Sequence, residues 1–209
     1  MKTLFCVKVS WRLKHEASSG GKGVDQTAVL PIVTVKDPYT WMSSMCRHSY
    51  SANWHHIEQH CPNLVTNKYD ENKWKHFKGV VPVNVRYSPE NVTHHESLLG
   101  LWNDYYKEWH HVKFPRLIVR FEDLLFRTEE TVKQICHCGG GKMKDTQFKF
   151  VVESAKSGQA HKGSSGMIKS MIRYGNSTRR VSYYTEPDLE YVRKKWDKEL
   201  GDAYSYKLA

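Results

Sequence analysis

Leu30-Pro31-Ile32-Val33-Thr34-Val35-Lys36-Asp37-Pro38-Tyr39-Thr40-Trp41-Met42-Ser43-Ser44 is the stretch on which the fold of this chain turns. Its first six residues form a short β-branched apolar run, which reads as a buried strand. Lys36-Asp37-Pro38 ends the run and opens a helix. Asp37 suits the N-cap, where a side-chain oxygen takes up an orphan amide, and Pro38 suits the first helical position, where no amide hydrogen is needed. Trp41, Met42 and Met45 give that helix an apolar side.

Downstream the pattern repeats. From Ser97, the residues Leu98, Leu101, Trp102, Tyr105, Tyr106 and Trp109 recur at three- and four-residue steps, the signature of an amphipathic helix whose aromatic stripe packs into a core. Pro115 breaks it. Leu117-Ile118-Val119-Arg120-Phe121 then reads as a second buried strand closed by Glu122-Asp123, followed by a helix from Thr128 to about Cys138. Glu129-Glu130 suits the first turn of that helix, and Gly139-Gly140-Gly141 ends it. Thr185-Glu186-Pro187-Asp188 resembles a capping box, opening a last helix to about Leu200. Strands alternating with helices predict an α/β fold with a parallel sheet flanked by helices. Ser49–Gly79, rich in His, Asn, Lys and Trp and weakly periodic, reads as an irregular insertion.

The 209 residues suit one domain spanning 1–209. With 39% apolar and 26% charged residues, wholesale disorder is excluded. No run approaches the roughly 18 consecutive apolar residues of a membrane span. The net charge of +10 calls for a negatively charged partner. It is unevenly placed: Ser154–Thr185 holds six Lys/Arg and no acid, interleaved with small residues as in Lys162-Gly163-Ser164-Ser165-Gly166. Small residues let backbone amides close on an anion. Aromatics in this tract are limited to Tyr174, Tyr183 and Tyr184, too few for a stacking platform, so specific nucleic-acid binding is not expected.

Five cysteines, an odd count in a chain of this size, do not suggest a disulfide-stapled scaffold. Cys136-His137-Cys138 and His56-x-x-x-His60-Cys61 lack the paired spacing of a zinc site, and no metal is expected. Asn91-Val92-Thr93 and Asn176-Ser177-Thr178 are glycosylation sequons, which matter only on a secretory route.

Several of these segments together resemble the PAPS-dependent sulfotransferases (PAPS is 3′-phosphoadenosine 5′-phosphosulfate), in wording nearer the carbohydrate-type or uncharacterised branch. Val33–Ser44 is similar to the family's 3′-phosphate-binding strand–helix, with Lys36 where the family has arginine and Ser44 eight residues later. A cation at a strand end and a hydroxyl further along the next helix can converge on one phosphate. Lysine keeps the charge but loses the bidentate fork. Ile118–Leu124 is similar to the family's Leu-Arg-Tyr-Glu-Asp-Leu strand, with Phe121 in the tyrosine's place. His161-Lys162-Gly163-Ser164-Ser165-Gly166 resembles the late phosphate loop, Thr146-Gln147-Phe148 a nucleotide contact, and Arg12-Leu13-Lys14-His15 the segment bearing the catalytic base.

The resemblance implies a P-loop NTPase-like sulfotransferase fold without its first βα unit, because no Gly-Thr loop for the 5′-phosphosulfate is present. Ser18-Ser19-Gly20-Gly21-Lys22-Gly23 fails the P-loop template, since Glu16 stands where the first glycine belongs and Gly23 follows the lysine. The implied activity is transfer of a sulfuryl group from PAPS to a hydroxyl acceptor of carbohydrate type, impaired by the missing unit. The implied roles are His15 as base and Lys14 as leaving-group cation. The implied nucleotide contacts are Lys36, Ser44, Phe121, Thr146, Phe148, His161, Lys162 and Gly163. The alternative is a non-catalytic remnant that binds polyanions through the 154–185 tract, with a steep salt dependence. The compartment stays open: soluble as read, or a Golgi or other secretory lumen if an anchor precedes the chain.

Overall fold

A computed structural model of the chain describes residues 30–75, 78–142, 147–149 and 167–209. Strand β1 (Ile32–Val35) runs parallel to β5 (Leu117–Arg120), pairing Ile32 with Leu117 and Val35 with Arg120. Val33 and Val35 turn inward, as a strand's period of two requires. Helix α1 (Pro38–Met45) follows β1 with Asp37 as N-cap, its carboxylate accepting the Thr40 amide at 3.0 Å. The expected strand–turn–helix is therefore present, with the inner face of α1 made by Tyr39, Met42 and Met45.

A second sheet lies beyond the expected parallel one. It is antiparallel, in the order β2 (Ala52–Asn53), β3 (Val83–Arg86), β4 (Val92–His95). The fold is thus α/β, with a two-stranded parallel sheet, a separate antiparallel sheet, and helices around both.

Helix α3 (Leu98–His111) carries the expected stripe: Leu98, Leu101, Trp102 and Tyr106 are buried, and Ser97 caps the start by accepting the Gly100 amide. Phe121 opens a short unforeseen helix, α4 (Phe121–Phe126), and α5 (Thr128–Cys138) comes next. Beyond lie α6 (Met167–Gly175) and α7 (Ser177–Val181). The last helix is two: α8 (Glu186–Lys195), opened by the Thr185–Asp188 capping box, and α9 (Lys198–Ala203), which Asp197 caps afresh.

Segment 49–79, expected as an irregular insertion, holds short regular elements and part of the core. It contributes Trp54, Cys61 and Leu64 to the main core, adds α2 (Lys68–Lys73), and is tied to α1 by a Cys46–Cys61 disulfide. The cysteine count argued against such a staple. Cys46 at the C-cap of α1 and Cys61 meet only because the insertion folds back over that helix. Sequence spacing cannot report that contact. Near Cys61, His60 bridges two carboxylates, Asp70 at 2.6 Å and Asp188 at 2.9 Å, joining the insertion to α8.

A second core cluster gathers Val33, Val35, Trp102, Tyr106, Leu200, Tyr204 and Tyr206 around the parallel pair. Trp41 and Trp196 pack against both clusters. No described helix is long and apolar enough to cross a membrane.

Candidate anion site at the end of the first strand

The Lys36-Asp37 turn is held from three sides, and one of the three holding residues is itself braced. The Asp37 amide donates to Glu122 at the start of α4 (3.1 Å), and Trp102 Nε1 on α3 donates to the Lys36 carbonyl (3.0 Å). Arg180 on α7 closes on the Asp37 carboxylate at 2.8 Å, and the Tyr206 hydroxyl holds the other oxygen of Glu122 at 2.7 Å. Elements distant in sequence thus lock one backbone turn, and that turn aims Lys36.

Lys36 Nζ donates to Ser44 Oγ at 2.6 Å and to the Tyr174 hydroxyl at 3.0 Å. Ser44 in turn donates to the Thr40 carbonyl at 2.7 Å, which fixes its rotamer on α1. Arg47, just past the disulfide-bonded Cys46, reaches the same Ser44 oxygen at 3.4 Å. The ammonium also lies 4.3 Å from the Tyr174 ring centroid and 5.0 Å from that of Phe121, which form two aromatic walls. The structure thus brings Lys36, Ser44 and Phe121, all singled out in the sequence, together at the end of β1.

Burial lowers the Lys36 pKa below its ordinary value, and the Tyr174 hydroxyl offsets part of that. For Tyr174, burial alone would raise the pKa. The charge of Lys36 and its hydrogen bond outweigh burial and bring the phenol below its ordinary value. Among the described residues no carboxylate comes within ion-pair distance of Lys36 or Arg47, and Glu122 acts on Lys36 only from further off. Among the described residues this largely buried ammonium faces neutral oxygens and a second cation.

Arg47 and Tyr174 were not singled out by the sequence. Arg47 follows the recognised motif by three positions, a signal that helix periodicity could have supplied. Tyr174 lies 138 residues from Lys36, and nothing local announces it. Phe148 is half-buried in the short stretch 147–149. Lys14, His15, Thr146, His161, Lys162 and Gly163 lie outside the described residues, as does the 18–23 loop. Of the six cations in the basic tract, Arg180 is committed to Asp37, so that surface is less free than its composition suggests. Of the two candidate metal motifs, His56-x-x-x-His60-Cys61 is engaged at His60, which binds two carboxylates, and at Cys61, which is bonded to Cys46, whereas Cys136 and Cys138 are free thiols.

No family model, curated protein or solved structure matches the chain.

Proposed function

We propose that this chain binds a bisphosphate nucleotide through its 3′-phosphate and acts as a sulfotransferase that uses PAPS and a hydroxyl acceptor. The observation that carries the reading is the Lys36–Ser44 contact of 2.6 Å at the end of a parallel strand, with Arg47 on the same oxygen and no carboxylate partner in reach among the described residues. It is supported by the resemblance of Val33–Ser44, Ile118–Leu124 and His161–Gly166 to that family's motifs.

In this reading Lys36 and Arg47 neutralise a phosphate dianion, and Ser44 orients one of its oxygens. Phe121 and Tyr174 exclude water from one side, strengthening the charge interaction. When bound, PAPS supplies an activated sulfuryl group. By the family resemblance, His15 would accept the proton of the acceptor hydroxyl, and Lys14 would neutralise charge on the leaving nucleotide phosphate. By the family resemblance, His161, Lys162 and Gly163 would add a second hold on the 3′-phosphate, and Thr146 and Phe148 would contact the nucleoside.

Calorimetric titration tests the reading. Adenosine 3′,5′-bisphosphate should bind more tightly than adenosine 5′-phosphate, and Lys36→Met should abolish the difference. A charge-assisted hydrogen bond is worth about 1.5–3 kcal/mol, so the loss should be on the order of 10- to 150-fold. Equal affinity for the two nucleotides, or no heat with either, would overturn it.

A further inference from the structure

One sequence motif remains outside this function. Asn91-Val92-Thr93 sits where the β3–β4 hairpin turns, in a loop in which Ser88, Pro89, Glu90 and Asn91 are all exposed. The Asn91 backbone makes the turn: its carbonyl accepts the Tyr87 amide at 2.9 Å, and its amide donates to Ser88 Oγ at 3.1 Å. Its side-chain amide makes no hydrogen bond among the described residues. Asn176, the other sequon asparagine, differs. Its Oδ1 caps α7 by accepting the Arg179 amide at 3.2 Å.

The second, independent observation is the Cys46–Cys61 disulfide. Structural disulfides form and persist in oxidising compartments and are rare where glutathione keeps thiols reduced. In eukaryotic cells the compartment that oxidises cysteines is also the one where Asn-x-Ser/Thr sequons are glycosylated.

We propose that Asn91 is an N-glycosylation acceptor and that the chain folds in an oxidising, glycosylating compartment. Asn91 Nδ2 forms a bond to the anomeric carbon of an oligosaccharide carried on a polyprenyl pyrophosphate. The bond from that carbon to the pyrophosphate oxygen breaks, the pyrophosphate leaves with the electron pair, and the amide nitrogen loses one proton. Modification occurs on the extended chain, before Thr93 pairs with Val85 in the sheet. The folded hairpin then accommodates the glycan because the turn projects into solvent. No core side chain has to move.

The test is to secrete the full chain from cultured eukaryotic cells behind a heterologous leader and measure its intact mass before and after amide-specific endoglycosidase, without reductant. The expected result is a glycan removed by the enzyme with conversion of Asn91 to aspartate, absent from Asn91→Gln and retained in Thr93→Ser, which keeps the sequon. The Cys46–Cys61 bond should be intact in all three. A glycan at Asn91 alone, or at both Asn91 and Asn176, supports the proposal. No glycan on a chain with that bond formed overturns it, as does a glycan confined to Asn176 or a secreted chain with Cys46 and Cys61 reduced. None of these outcomes depends on nucleotide binding.

Discussion

Replacing His60 with alanine should be the most destabilising single change available in the insertion. His60 is 3% exposed, and Asp70 and Asp188, on either side of it, are fully buried. Both ring nitrogens face a carboxylate, so both must carry a proton, which requires the imidazolium. Burial by itself would lower the His60 pKa, but its hydrogen bonds to Asp188 and Asp70 outweigh that and raise it above 6.5. The Asn67 amide also lies 2.9 Å from Nδ1, a contact suited to a neutral ring. The 2.6 Å carboxylate approach to the same nitrogen, with a second carboxylate on the other, decides for the cation.

His60→Ala leaves two buried carboxylates without their shared cation, and breaking a buried pair in this way costs about 3–5 kcal/mol. At roughly 2–4 °C per kcal/mol for a chain of this size, Tm should fall by roughly 6–20 °C. Asp188 raises the stakes, since it also accepts the Leu64, Val65 and Thr185 amides.

The pH dependence follows from the same geometry. The His60 contribution is fully present below its unfolded value of 6.5 and is lost as pH rises through its raised folded value. For Asp188, burial pushes upward but the bonds from His60 and Thr185 prevail and lower its pKa. Its contribution is present above 3.8 and lost as pH falls through the lowered folded value. The stability gap between wild type and His60→Ala in urea unfolding should therefore be widest between about pH 4 and 6.5 and shrink above that. A gap under about 1 kcal/mol, or one constant from pH 6 to 9, would refute the bridging-cation account.

Three further outcomes are expected. Cys46→Ser should lower unfolding free energy by about 3 kcal/mol, the value for closing a loop of this length, and weaken bisphosphate binding because Arg47 adjoins the staple. Denaturation of the variant beside the wild type, without reductant, checks it. In α9, a Cβ on Gly201 would fall 2.6 Å from Trp196 Nε1, so Gly201→Ala should lose about 1–3 kcal/mol by thermal melt. Anion affinity at the Lys36 site should fall as pH rises toward, but still below, 10.5, because burial makes Lys36 lose its proton early; titrations from pH 7 to 10 read this directly.

Local chemistry made much of the chain legible. Asp37-Pro38, Ser97 and Thr185 announce helix starts because an N-cap acts on amides two or three residues away. The stripe of α3 shows its burial through period, and the apolar run after Pro115 marks β5, in which Val119 is buried. Other features had a local signal that went unread: Val81, Val83 and Val85 alternate with exposed neighbours, marking β3. The break between α8 and α9 is subtler, since Asp197 caps a new helix inside a run whose composition stays helical.

Of the candidate site, the sequence offered Lys36, Ser44 and Phe121 through the resemblance of their segments to one family's motifs, and local pattern supplied the strand and helix that carry the first two. It also set the net charge of +10. Tertiary structure alone decided that Tyr174 completes the site across 138 residues and that Arg180 locks Asp37. It alone decided, too, that Cys46 finds Cys61 and that His60 sits between two acids. The physical reason is range: caps and periodicity act within a few residues, whereas burial, charge pairing and disulfide geometry depend on which surfaces the folded chain presses together.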